Sequence, residues 1–238
     1  MFLENRRKYA KTSVSYLLVN ANSPVTGAVI FDFDGTLLDT FPAISIGFNA
    51  ALTPIFHRTY SDAEVIAHFG PPDEGMIANA LKDHPRAEYD EAIARYFAAF
   101  EEADKDCAIF SGIAELLDEL AARQIPLGIM TGKGRRAAEI TLQRLQWHPR
   151  FGTIITGDDA LAKPAPDGPL LAARELNVAP QNCVFVGDSP ADMGAAKAAG
   201  MTAVVAGWHG FFREELERME WDFWANTPDE LGAWLRER

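Results

Sequence analysis

Residues Phe31–Thr40 read FDFDGTLLDT, and they end an apolar run, Ala28 to Phe33, with two carboxylates one residue apart, Asp32 and Asp34. The run has the composition of a buried strand. Carboxylates are costly to bury unless a cation or a set of hydrogen bonds compensates them. A strand that ends in two acids therefore has to share something positive at that end. Gly35 and Thr36 follow at once and mark a tight turn.

The same pattern recurs along the chain. AVIFDF, PLGIMTG (Pro126 to Gly132), TIITGD (Thr153 to Asp158), CVFVGD (Cys183 to Asp188) and TAVVAG (Thr202 to Gly207) are short, apolar and without polar alternation. Strands covered on both faces have that character. Helical periodicity fills the gaps: GIAELLDELAARQ after Ser111, RRAAEITLQRLQ, PLLAARELN and PADMGAAKAAG. A last helix begins at Thr227 as N-cap, with Pro228 in the first turn and Glu230 completing a capping box. Alternation of this kind predicts an α/β fold, a doubly wound Rossmann-like parallel sheet. One connection is too long for a crossover helix. About ninety residues separate the first two strands, and four helical stretches occupy them: AISIGFNAALTPIF, SDAEVIAHF, DEGMIANALK and YDEAIARYFAAFEEAD. The expected organisation is a core of residues 27–39 and 109–238, an inserted α-helical domain at 40–108, and an N-terminal extension at 1–26 without an assigned role.

Bulk properties restrict the partners. The 238 residues carry a formal net charge of −12, which argues against nucleic acid or an anionic membrane as a general partner. Cys107 and Cys183 form no CxxC pair and read as buried free thiols, as expected for a cytoplasmic protein. Arg6, Arg7, Lys8 and Lys11 precede VSYLLV, but that apolar run is too short for a signal peptide and no cleavage site follows. The composition does not address oligomeric state.

In open α/β sheets ligands bind beyond the carboxyl ends of the strands, and the unusual residues gather there. Asp32 and Asp34 follow the first strand, Thr131 and Gly132 the second, Lys163 the third, and Asp188 and Asp192 the fourth. Lys133, Arg135 and Arg136 read as a solvated helix face, and Trp208, Trp221 and Trp224 as packing residues. The chemistry suits a phosphate ester. Asp32 can attack phosphorus as a covalent nucleophile, and Asp34 can protonate the leaving oxygen and then activate water. Two acids beside a phosphate need a hard cation, Mg²⁺, with Asp188 as a further ligand. Lys163, the Thr131 hydroxyl and the Gly132 N–H can meet phosphate oxygens, and Asp192 can orient Lys163 or waters from behind.

FDFDGTLLDT, KPAPD and GDSPADM together resemble the haloacid dehalogenase superfamily, whose first motif is DxDG[TV], over nearly all of Val25 to Arg238. The insertion resembles that superfamily's small α-helical caps, and the loop FGPPDEGM, Phe69 to Met76, resembles the phosphoglycolate-phosphatase-like subgroup. The resemblance implies the same roles for Asp32 and Asp34, and adds the Asp34 backbone carbonyl to the Mg²⁺ ligands. It implies a phosphatase of a small phosphorylated metabolite, phosphoglycolate first. Arg58, Lys82 and Arg86, with His57, are the basic residues of the cap that could read such a substrate, and Gly70-Pro71-Pro72 the rigid loop facing its leaving group. Related phosphatases often carry Asn where this chain has Gly132. The alternatives are a sugar phosphomutase, a pyrophosphatase, a nucleotidase or a non-catalytic phospho-acceptor scaffold.

Overall fold

A computed structural model describes residues 26–238. Of the N-terminal extension at 1–26, residues 1–25 lie outside the described residues. Six strands form one parallel sheet: β1 (Ala28–Phe31), β2 (Leu127–Met130), β3 (Thr153–Ile155), β4 (Cys183–Gly187), β5 (Thr202–Ala206) and β6 (Phe223–Ala225). Their order is β3-β2-β1-β4-β5-β6. The chain therefore runs outward from β1 in one direction, returns, and runs outward in the other. The reversal leaves a crevice beyond the carboxyl end of β1. The sheet is the expected doubly wound α/β fold, with one strand more than the sequence pattern indicates. β6 is three residues of edge strand carrying Trp224, too short to produce a periodic signal.

The strands are apolar throughout because both faces are covered. Successive side chains of β1 point to opposite faces. Val29 and Phe31 join one cluster with Ile113, Leu117, Leu142 and Leu231, whereas Ala28 and Ile30 join another with Ala172, Met193 and Phe185. The first cluster is closed by helices α5 (Ile113–Ala122), α6 (Arg135–Leu145) and α10 (Pro228–Arg236), the second by α7 (Asp167–Glu175), α8 (Pro190–Ala198) and α9 (Arg213–Leu216). Each strand ends before the polar residues that the sequence pattern assigns to it. Those residues leave the ladder to build the crevice. At α10 the Thr227 hydroxyl accepts from the Glu230 N–H, as expected, but Glu230 reaches back to the Asn226 N–H instead of closing a capping box.

Helices α1 (Phe41–Phe56), α2 (Asp62–Ile66), α3 (Asp73–Ala80) and α4 (Arg86–Asp104) lie between β1 and β2. They share an apolar cluster of their own, built on Phe48, Leu52, Ile77, Tyr96 and Phe100, to which α6 adds Ala137. The two connections to the sheet pair with each other: Asp39 N–H donates to Ala108 C=O at 3.0 Å and Phe110 N–H to Leu37 C=O at 3.2 Å. Asp104, at the end of α4, has no exposed surface and accepts from Thr141 Oγ1 and Arg144 Nε of α6, both at 2.6 Å. Among the described residues no helix is long and apolar enough to cross a membrane.

Removing one partner of a buried ion pair leaves an uncompensated charge, at a cost of about 3 kcal/mol. Arg144→Met is expected to lower unfolding free energy by that amount in chemical denaturation. A loss well below 1 kcal/mol would show that Asp104 does not depend on the guanidinium.

Candidate active site

β1 is flanked on both sides, so its carboxyl end is the best-walled point of the crevice. The Asp32 N–H still bonds to Val186 C=O at 2.8 Å, which fixes the residue at the last rung of the sheet. The chain then turns at Gly35, whose φ of 78° is a left-handed conformation that suits glycine. A Cβ there would stand 2.7 Å from Asp188 Cγ and 2.9 Å from His209 Nδ1, so the backbone passes too close for any side chain.

Three carboxylates meet at this point. One oxygen from each of Asp32, Asp188 and Asp192 lies within 4.8 Å of the others, and all three residues are buried. Lys163 lies between two of them, with Nζ 2.7 Å from Asp32 Oδ1 and 2.5 Å from Asp192 Oδ1. The second Asp192 oxygen accepts from Ser189 N–H at 3.0 Å and from its hydroxyl at 2.5 Å, within the capping box that starts α8. Asp192 is thus fully committed and acts as a bracket for Lys163. Asp188 accepts from Thr36 Oγ1 at 3.3 Å and meets His209 Nδ1 at 3.1 Å. Burial, reinforced by the neighbouring acids and opposed by Lys163, pushes the Asp32 carboxyl well above its usual range. Burial also raises Asp188, against the hydrogen bond from His209. For Lys163, burial pulls the pKa down, but Asp192 and Asp32 outweigh it and the net shift is upward. The cluster is short of positive charge, and its donors are hard carboxylate oxygens. That set fits a small divalent cation on Asp32 and Asp188.

Asp34 faces a different neighbour. Thr40 Oγ1 donates to it, and Lys133 Nζ lies 3.0 Å from Oδ1 and 3.1 Å from Oδ2. The expectation that Lys133 is a solvated helix residue is wrong: its side chain is 1% exposed and its ammonium sits 4.8 Å over the Phe100 ring. It precedes α6, so its side chain follows the strand-end geometry of β2 instead of the helix face. Burial lowers its pKa, yet Asp34 and Asp73 more than offset this and hold it charged. Arg135 is tied up by Asp159 and by Ile154 C=O, and exposed Arg136 stacks on Phe97. Thr131 Oγ1 accepts the Lys133 N–H at 3.1 Å, and a Cβ at Gly132 would meet nothing within 4 Å.

These groups form the floor of a cavity of about 420 Å³ whose roof comes from the helical insertion. Gly70 and Pro71 line it, as does buried Asp73, which accepts from the Gly134 N–H at 2.7 Å and from the Tyr96 hydroxyl. The basic residues proposed from sequence to read a substrate do not reach it. His57, Arg58, Lys82 and Arg86 are exposed, with Arg58 held by Glu64 and Arg86 by Asp90. Lys133 and His209 had a usable signal, because both lie directly beyond carboxyl ends of strands. Asp73 had none, since an acid in a first helical turn is commonplace.

The family model for haloacid dehalogenase-like hydrolases matches residues 29–206. The chain belongs to that family. It is 31% identical to a phosphoglycolate phosphatase of Xanthomonas campestris pv. campestris, over 87% of this chain and 96% of the relative. A phosphoglycolate phosphatase of Escherichia coli is also 31% identical, over 74% and 79%. Among solved structures, CbbY from Rhodobacter sphaeroides in complex with phosphate superposes with a TM-score of 0.75 at 25% identity, covering 87% of this chain and 97% of that one.

Lys133 is the buried counter-charge of Asp34. Lys133→Met is expected to leave the fold intact by circular dichroism and to lower hydrolysis of phosphate esters by about a hundredfold, the scale of removing one electrostatic contact from a reaction site. Activity within twofold of the parent would remove Lys133 from the site.

Proposed function

We propose that the protein is a Mg²⁺-dependent phosphatase that hydrolyses small phosphate monoesters through an aspartyl-phosphate. The observation that carries this reading is the Lys163 ammonium 2.7 Å from the Asp32 carboxylate, with Asp34 in the same cavity and held separately by Lys133. The relatives named phosphoglycolate phosphatase and the CbbY structure holding phosphate support it.

In this mechanism an Asp32 oxygen attacks phosphorus and the bond from phosphorus to the ester oxygen breaks. The leaving oxygen takes a proton from Asp34, which becomes a carboxylate stabilised by Lys133 and Thr40. Asp34 then removes a proton from water, and that water displaces Asp32 from the phosphoryl group, releasing phosphate. Lys163, the Thr131 hydroxyl and the Gly132 N–H hold phosphoryl oxygens, so the reacting atoms stay in line. Asp32, Asp188 and the Asp34 carbonyl would hold Mg²⁺, which supplies charge neutralisation for a dianionic substrate. Asp192 keeps Lys163 aimed at Asp32. Residues 40–108 serve as a cap that closes over the floor and excludes water, hinging where residues 38–42 pair with residues 106–111. Burial raises both the Cys107 and Cys183 thiols to about 11, so they stay protonated, which suits a cytoplasmic enzyme.

Asp32→Asn is expected to abolish turnover and phosphate incorporation, whereas Asp34→Asn slows turnover and lets phospho-enzyme build up. Chelation should abolish activity and Mg²⁺ restore it. Near-normal turnover by Asp32→Asn, or full activity after exhaustive chelation, would overturn the respective assignment.

A further inference from the structure

The cavity has two chemically distinct halves. Its floor is polar and saturated with charge. Away from the floor it is lined by Phe41, Ile44, Ile66, Phe69, Met76 and Phe211, five of them from the helical insertion. Phe69 and Phe211 are 40% and 45% exposed, although both are large apolar residues. They converge on Phe41, whose ring centroid lies 6.1 Å from that of Phe69 and 5.7 Å from that of Phe211. Exposed aromatics gathered at the mouth of a cavity mark a contact surface.

Among the described residues that line the cavity, no basic group is spare for an anionic leaving group. The basic ones among them are Lys133, Lys163 and His209. Each already faces a carboxylate: Asp34, Asp32 with Asp192, and Asp188 respectively. The only charged residue that the insertion adds to the lining is Asp73, an acid. A carboxylate on the leaving group would lie against aromatic rings and near Asp73, with no unpaired basic side chain among the described lining residues to compensate its desolvation. An apolar leaving group would exclude water from those same rings. The absence of a side chain at Gly132 leaves open space beside the phosphate end for a bulky group to enter.

We propose that the preferred substrate of this phosphatase is a monoester whose leaving group is uncharged and apolar, of aryl-alkyl size, bound between Phe41, Phe69 and Phe211. The proposal rests on the phosphatase reading above and specifies its substrate class. The test compares kcat/KM for benzyl phosphate, phosphoglycolate and methyl phosphate with the full-length protein in Mg²⁺. All three release unactivated alcohols, so differences report recognition more than leaving-group chemistry. Benzyl phosphate is expected to exceed phosphoglycolate by tenfold or more. Phe69→Ser, at a 40% exposed position, is expected to raise KM for benzyl phosphate severalfold more than it raises KM for methyl phosphate. Phosphoglycolate equal to or better than benzyl phosphate overturns the substrate class and leaves the phosphatase standing. An unchanged KM for benzyl phosphate in Phe69→Ser also overturns it. Hydrolysis of none of the three esters overturns the phosphatase reading and this proposal together.

Discussion

Three buried carboxylates around one lysine constrain everything near the end of β1. Asp32 and Asp188 directly follow β1 and β4, Asp192 lies in the first turn of α8, and Lys163 comes from the loop after β3. No segment alone could bury its own acid, because the desolvation cost would exceed what local hydrogen bonds return. The cluster is affordable only when the sheet brings all four residues within contact. That explains why the site sits at the strand-order reversal, the one place where loops from both halves of the sheet converge.

The second ion pair, Asp34 with Lys133, separates the two acids of the opening motif. They are two residues apart in sequence but rest on different cations, Lys163 and Lys133. Lys133 in turn lies against Phe100 of α4, so the helical insertion contributes to the environment of Asp34 as well as covering it. Asp73 binds the Gly134 N–H from the other direction. Floor and roof are thereby joined through the same short loop after β2.

Much of the site was legible because strand ends in a parallel sheet share one edge. Asp32, Asp34, Thr131, Lys163, Asp188 and Asp192 all follow apolar runs, and the structure brings all six to one crevice. Lys133 was misread because its neighbours Arg135 and Arg136 do behave as outer helix residues, and a run of three cations resembles a solvated face. His209 was passed over although it follows the fifth apolar run as Asp188 follows the fourth. β6 and the Glu230 contact to Asn226 were missed because three residues of strand and a one-residue shift in a cap lie below what periodicity resolves.

The sequence by itself determined the sheet, its helical insertion and the acids at the strand ends, since these follow from apolar periodicity and from the cost of placing carboxylates beside a core. Tertiary structure alone decided which cation serves which acid and what the roof presents to a ligand. His57, Arg58, Lys82 and Arg86 look as available in sequence as Lys133, yet they are exposed and Lys133 is buried. The lining instead comes from Phe41, Ile66, Phe69 and Met76, which belong to α1, α2, a loop and α3. Their convergence depends on how the four helices pack around Phe48 and Tyr96, and packing is set by shape across the chain, which no local pattern encodes.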